Sequence, residues 1–501
     1  MTNVLTDPRV AAYRMQEAAY PAEAPFHPSE RWPEYAWPPI SGSRNCVYEA
    51  VRGALHLLEM DATNYGRADW NPLGELVRPG DSVVVKPNLI SHSHKYQPSE
   101  WQSVITHGSV VRAVVDYVLI ALRGDGEVWI ADGPQLDADW DLIIQRTGLQ
   151  HVVDYYAQVS PVPVRLLDLR DLWTDVRDDV RYGSRVLPGD PRGSTVVRLG
   201  EASSLRGPGF DDARYYGADY DQDETNFHHA DGRHEYRVSR TVMGADVLIN
   251  VPKMKTHKKC GVTLAAKNLV GVNTGRNWLP HYRQGGPSAG GDQFPGDSAK
   301  ARVEIAGIRW FQRATLSTPL IAPLFKMAKR LARPLFGHTR DTVRSGNWSG
   351  NDTVWRMVHD INKCVLYFDA NGSLRPEPRR YFAVVDGVIA GHRNGPEAPD
   401  PYPAGTIVAG SNPIALDYAT TILMGFDPSR FPILREGFGG SWLPLTRFGQ
   451  EDVVVSSNDP SWVGSAIRIS RAECHHFDPH FGWDEDLGVQ TTRNGRDGAR
   501  V

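Results

Sequence analysis

The sequence predicts an α/β protein: a mostly parallel sheet with flanking helices, two α/β lobes around a cleft, and long loop insertions. Three observations carry this expectation. First, short apolar runs lack polar alternation, as strands covered on both faces do: Ser82-Val83-Val84-Val85, Val128-Trp129-Ile130-Ala131 and Val247-Leu248-Ile249-Asn250-Val251. Second, helical spacing separates them, most clearly over 109–122, where Val110, Val111, Val114, Val115, Val118 and Leu122 recur. Third, the runs end in turns, at Lys86-Pro87-Asn88, Asp132-Gly133-Pro134 and Pro252-Lys253, at the strand ends where open α/β sheets place ligands.

Taken in order, residues 1–75 read as an arm and a helix. Six prolines between 21 and 39 make the arm irregular, and Val47, Val51, Ala54, Leu55 and Leu58 then recur at helical spacing. Residues 76–272 read as the first lobe, with further strands at 164–167 and 196–199. The stretches 200–235 and 273–300 are rich in Gly, Asp and His and read as long loops. Residues 273–360 form an insertion with a Gly-rich loop and a basic amphipathic segment, 319–336. Residues 361–501 form the C-terminal α/β portion and tail, with strands at 382–385 and 406–409 and a helix over 414–424.

Composition narrows the function. The chain has 501 residues, 41% hydrophobic and 23% charged, with a net charge of −4. That is a globular balance, and it lacks the basic excess of a general nucleic-acid binder. Four cysteines, none in a CxxC pair, supply neither a disulfide framework nor an iron–sulfur cluster. The N-terminus has no secretory signal pattern, and no run approaches the ~18–20 apolar residues of a membrane span. A cytoplasmic location follows as the expectation. GxGxxG, GxxxxGK[ST] and HExxH are absent. Gly286-Pro287-Ser288-Ala289-Gly290 matches GxSxG, but its glycine-rich flanks are not the strand and helix of a nucleophile elbow.

The chemistry concentrates at strand ends. In Asn250-Val251-Pro252-Lys253-Met254-Lys255-Thr256-His257, an extended backbone would send Lys253, Lys255 and His257 to one side. Lys267-Asn268 follows on a short helix. Lys86 and Asn88 end an apolar strand, and His107 stands at a helix start, where the dipole lowers an imidazole's proton affinity. Asp386 and Asn412 are strand-end turn residues of the same rim, and His281 lies in the Gly-rich loop. Lys86, Lys253 and Lys255 would hold an anion, with Asn88, Thr256, Asn268, His281, Asp386 and Asn412 around it. His257 and His107 would be acid and base, with Lys267 the alternative base. Lys258 and Lys259 read as a solvated basic turn. His228, His229 and His234 have the residue types of a metal site but match no ligand spacing, so a divalent metal stays open.

These residues carry a resemblance. Pro252-Lys253-Met254-Lys255-Thr256-His257 with Thr263 and Lys267-Asn268-Leu269-Val270-Gly271 resembles the signature of the domain of unknown function 362 family. Lys86-Pro87-Asn88-Leu89 with Thr106-His107, Asp386-Gly387 with Gly395-Pro396, and Gly410-Ser411-Asn412-Pro413 with Asp417 look like its other motifs. Gly346-Asn347-Trp348 and Asn351-Asp352-Thr353-Val354-Trp355-Arg356 resemble a long-form branch. Many relatives carry an appended ferredoxin-like domain, which four cysteines cannot supply here. The arrangement also looks like the lactate racemase type of α/β protein, in which histidines and lysines in a cleft move a proton. The expected function is a cytosolic enzyme of a biosynthetic pathway, moving a proton on an anionic small molecule or sugar-like metabolite as an epimerase, isomerase or lyase. The alternative is metal or cofactor delivery through the 228–235 histidines. A peripheral membrane contact through 319–336 is a further expectation, and no nucleic-acid partner is expected.

Overall fold

The computed structural model describes residues 3–296, apart from 178–179, 208, 211–213 and 220, together with Gly307, Met327 and residues 342–483. The segment 319–336 expected to touch a membrane therefore lies outside the described residues, Met327 excepted.

Twelve strands form one sheet. In chain order they are β1 (Arg9–Arg14), β2 (Ser82–Pro87), β3 (Glu127–Asp132), β4 (Val164–Asp168), β5 (Val247–Val251), β6 (Lys253–His257), β7 (Gly261–Thr263), β8 (Arg380–His392), β9 (Asp400–Tyr402), β10 (Thr406–Gly410), β11 (Val454–Ser457) and β12 (Gly464–Ser465). Across the sheet the order is β12-β11-β1-β10-β8-β5-β2-β3-β4. The run β4-β3-β2-β5-β8 is wholly parallel. The division at 361 does not interrupt the sheet, because β5 pairs with β8 from Val247↔Arg380 to Asn250↔Ala383.

The strands are apolar because both faces are covered. Val83 and Val85 pack into one core with helices α1 (Cys46–Leu57) and α2 (Gly108–Leu122). Val84, between them, joins the opposite core, with the later helices Val354–Tyr367 and Pro413–Leu423. Side chains of period two thus feed two cores from one strand. The stretch Pro98–Leu122 reaches the length and hydropathy of a membrane span, contrary to the sequence reading, yet 94% of its window is buried inside the protein. Its main helix, α2, packs in the core beneath the sheet.

The arm corrects the sequence in one respect. Its first residues supply β1, which pairs antiparallel with β10 and parallel with β11. Arg9-Val10-Ala11-Ala12-Tyr13-Arg14 is too short and too small in side chain to stand out from the prolines that follow. The expected strand at 196–199 is Ser194–Arg198, in a separate two-stranded sheet with Glu235–Ser239. The expected loop 200–235 contains a helix, Gln222–His229, capped by Asp221.

The short helix Ala265–Asn268 positions Lys267 and Asn268. The buried carboxylate of Asp417, on the helix Pro413–Leu423, accepts from the backbone amides of Ala265 at 2.7 Å and Ala266 at 2.9 Å. Without it, two buried N–H groups lose their partners, at about 1–3 kcal/mol each. Asp417→Ala should therefore cost about 2–6 kcal/mol in denaturant-induced unfolding; a change within error would show that this tie does not hold the helix.

Candidate functional site

A cavity of about 460 Å³ opens at the carboxyl ends of β2 and β3. Four elements build it. Strand β2 brings Lys86 and Asn88, β3 brings Asp132, the turn between β6 and β7 brings His257, Lys258 and Lys259, and the helix 265–268 brings Lys267 and Asn268. Arg276 and His281 reach in from the loop that follows.

Most of the polar wall groups are oriented by a backbone or side-chain partner. The Lys86 ammonium is fully buried and donates to Asp132 Oδ1 at 2.7 Å, the Pro87 carbonyl at 3.0 Å and Asn268 Oδ1 at 3.3 Å. Its three protons are spoken for. Burial lowers its proton affinity and Asp132 works against that. Asp132 Oδ2 accepts from the Leu89 amide. A side chain at Gly271 would collide with Asp132 and Lys86, so this position has no room for a Cβ.

His257 Nδ1 accepts from the backbone amides of Lys259 at 3.0 Å and Cys260 at 3.3 Å. Two donors on Nδ1 require the proton on Nε2. His281 is the reverse: its Nδ1 lies 2.9 Å from the Leu279 carbonyl. A carbonyl only accepts, so Nδ1 carries the proton and Nε2 is the lone pair. Burial first, then Lys267, Lys258 and His281, hold His257 well below the ordinary histidine value. Burial, Lys259 and Lys267 do the same to His281. One neutral imidazole of the cavity wall is thus a fixed donor and the other a fixed acceptor.

The structure divides the residues expected from sequence. Lys86, Asn88, His257, Lys267, Asn268 and His281 line the cavity; Lys253, Lys255, Thr256, His107, Asp386 and Asn412 do not. The expected convergence of Lys253, Lys255 and His257 rests on a regular ladder, and the ladder is irregular here. Lys253 pairs with Asp386 on β8, but Lys255 pairs with Gly391. Lys253 instead donates to Asp386 at 3.1 Å and to the Tyr20 hydroxyl at 2.6 Å, both away from the cavity. Lys255 is saturated by Asn88 Oδ1 and the carbonyls of Val104 and Pro396. That contact fixes the Asn88 amide through its oxygen. His107 caps α2, accepts from the Ser109 amide and stacks on Tyr20 at 4.0 Å, while its own amide donates to Asp386. Thr256 donates to the Arg393 carbonyl. Asn412 caps the helix 413–423 and ties down the carbonyls of Val4 and Leu445.

Sequence reasoning missed Lys259 as a wall residue and Tyr20 as part of the Lys253–Asp386 cluster. Lys259 follows Lys258 in a turn, the usual place for solvated charge, and only the later loop encloses it. Tyr20 lies in the proline-rich arm, which carries no signal of packing. Of the histidines, His228 stacks on Trp278 at 3.3 Å and pairs with Glu235 at 3.0 Å, while His229 meets the Trp278 carbonyl and lies against His234. Among the described residues, no group of three or more His, Cys, Asp and Glu side chains stands in position to hold a metal ion.

Fold and site together define a class: an α/β protein with a cationic cavity at the carboxyl ends of a parallel sheet. The chain belongs to the family described as domain of unknown function (DUF362), whose model matches residues 83–179 and 202–421. A thylakoid-associated protein of Synechocystis sp. is 20% identical over 362 residues, covering 72% of this chain and 68% of that protein. A Thermotoga maritima protein of known crystal structure is 10% identical with a TM-score of 0.27, covering 71% of this chain; this chain spans 53% of that structure.

The two tautomers are checkable. In protein carrying ¹⁵N only in histidine, His257 should show a bare Nδ1 and a protonated Nε2, and His281 the opposite, both unchanged between about pH 6 and 8. Because both values are lowered in the folded state, acidification protonates the unfolded chain first, so their contribution to stability falls as pH drops below about 6.5. A titration of either ring near 6.5 would refute the assignment.

Proposed function

We propose that this chain is an enzyme that binds an anionic small molecule in the cavity and moves a proton beside its acidic group, as an epimerase, isomerase or lyase does. The observation that carries the reading is Lys267. Its ammonium faces the cavity and makes no hydrogen bond or ion pair with a described residue, whereas Lys86, Lys253 and Lys255 are each satisfied internally. Lys258 lies 3.6 Å from Glu397, and the Arg276 guanidinium donates to the carbonyls of Gly133 and Pro134. A half-buried cation without a partner is costly unless an anion completes it.

The two imidazoles give the cavity its direction. His257 offers Nε2–H, suited to hydrogen-bond an oxygen on which charge develops. His281 offers the Nε2 lone pair, suited to accept a proton from carbon. An anion bound between them would raise the proton affinity of His281 toward the working range of a general base. His281 thus takes the role that the sequence offered to His107, which caps α2 and does not line the cavity.

Lys267→Met should weaken binding of small carboxylates and sugar phosphates by roughly tenfold or more in isothermal titration, the ~1.4 kcal/mol or more of a charge-assisted contact, with little change in unfolding midpoint. Lys86→Met, by contrast, should destabilise the fold by about 3–5 kcal/mol, because it strands the buried Asp132. If Lys267→Met binds such anions as well as the parent chain, or if the parent binds none, the reading fails.

A further inference from the structure

We infer that Lys259 is an amine nucleophile and that the cavity takes an anionic carbonyl compound, a keto acid or an acid-bearing aldehyde, as an imine on its Nζ. This rests on the proposed anion site and names its substrate class. Lys259 lies on the turn that follows His257, and its own backbone amide is one of the two donors that fix the His257 tautomer. Its side chain enters the cavity over the ring of Tyr282, with Nζ 4.5 Å from the ring centre. Among the described residues it pairs with no carboxylate within salt-bridge distance. Lys258 and Lys267 are cations of the same cavity wall and act on it.

The surroundings favour the neutral amine. The groups acting on Lys259 are Lys258 and Lys267, which lower its proton affinity, and Asp292 and Glu397, which raise it; His257, His281 and Tyr282 also face it. Burial is the largest influence, and the value is brought down to about 7. An ordinary lysine, at ~10.4, is almost wholly protonated at neutral pH and a poor nucleophile. Desolvation beside other cations is the arrangement that turns a lysine into an imine former.

The step balances without a co-reactant. The Nζ lone pair attacks the carbonyl carbon, and one amine hydrogen passes to the oxygen. The carbinolamine then loses that oxygen as water with the second amine hydrogen, leaving C=N. Protonation of the imine nitrogen makes it an electron sink, so the neighbouring C–H becomes acidic and its proton passes to His281 Nε2. The substrate's acid group would lie on Lys267, and the Nε2–H of His257 would face the departing oxygen.

The test uses the full chain and pyridoxal 5′-phosphate, an aldehyde carrying an anion, followed by borohydride reduction and peptide mass spectrometry. Lys259 should be labelled faster than exposed Lys95 or half-buried Lys258 by roughly tenfold or more at neutral pH. Its rate should rise with pH around a midpoint near 7, and inorganic phosphate should slow it. Lys259→Arg, which keeps the charge, and Lys259→Met should both lose the adduct. Lys267→Met should move the Lys259 midpoint upward, a change that mere loss of structure would not produce. Borohydride should also fix pyruvate or glyoxylate to the same residue. Labelling spread by exposure, or centred on Lys267, overturns the inference. If Lys259→Met still binds small carboxylates as the parent does while no imine forms on the parent, this inference falls and the anion-binding reading stands. If the parent binds no anion, both fall.

Discussion

The buried ion pair between Lys86 and Asp132 is the constraint on which the site depends. It joins the ends of two parallel strands, β2 and β3, at 2.7 Å. The same ammonium reaches Asn268 Oδ1, and the Asn268 amide in turn donates to the Lys86 carbonyl at 3.2 Å and to Asn250 Oδ1 at 2.7 Å. One network thus fixes β2, β3, β5 and the helix carrying Lys267. Lys86, Asp132, Asn250 and Asn268 are all buried, so their polar atoms are best matched within the protein. That requirement sets where the cavity floor lies and how Lys267 leaves it.

Much of the fold was legible because covered parallel strands have an unmistakable pattern. Val83-Val84-Val85 and Val247-Leu248-Ile249 lack alternation, and both faces of the sheet are covered at those residues. Strand β1 was not legible: Ala11 and Ala12 give no hydrophobic run, and its place in the sheet is set by partners more than 390 residues away in sequence, such as Gly410 opposite Val10. Long-range pairing of this kind leaves no local mark.

The site was half legible for a related reason. Residue type and strand-end position point to a dense set of cations and imidazoles, but sequence does not say which of them are consumed internally. Lys253, Lys255 and Lys267 look alike along the chain. The irregular register between β6 and β8 sets Lys253 against Asp386, a short reach sets Lys255 against Asn88, and nothing described meets Lys267. Partner identity is a tertiary property, so the separation of structural from cavity-facing lysines appears only once the strands are paired.

The internally satisfied lysines still act on the cavity. Lys255 donates to Asn88 Oδ1 and so steadies the amide of a cavity-wall residue. Lys86 adds to the positive field that lowers the proton affinity of Lys267. The backbone turn 257–260 performs the equivalent task for His257, and the Leu279 carbonyl for His281. Donors and acceptors are therefore set before any ligand arrives, and none needs to turn when charge develops. Fixed dipoles of this kind act most strongly on a reacting group where water is scarce. A solvated basic turn, the alternative that residue type alone would favour, would have none of these fixed partners. It is the partner pattern, more than the number of cations, that sets this rim apart from a solvated basic turn.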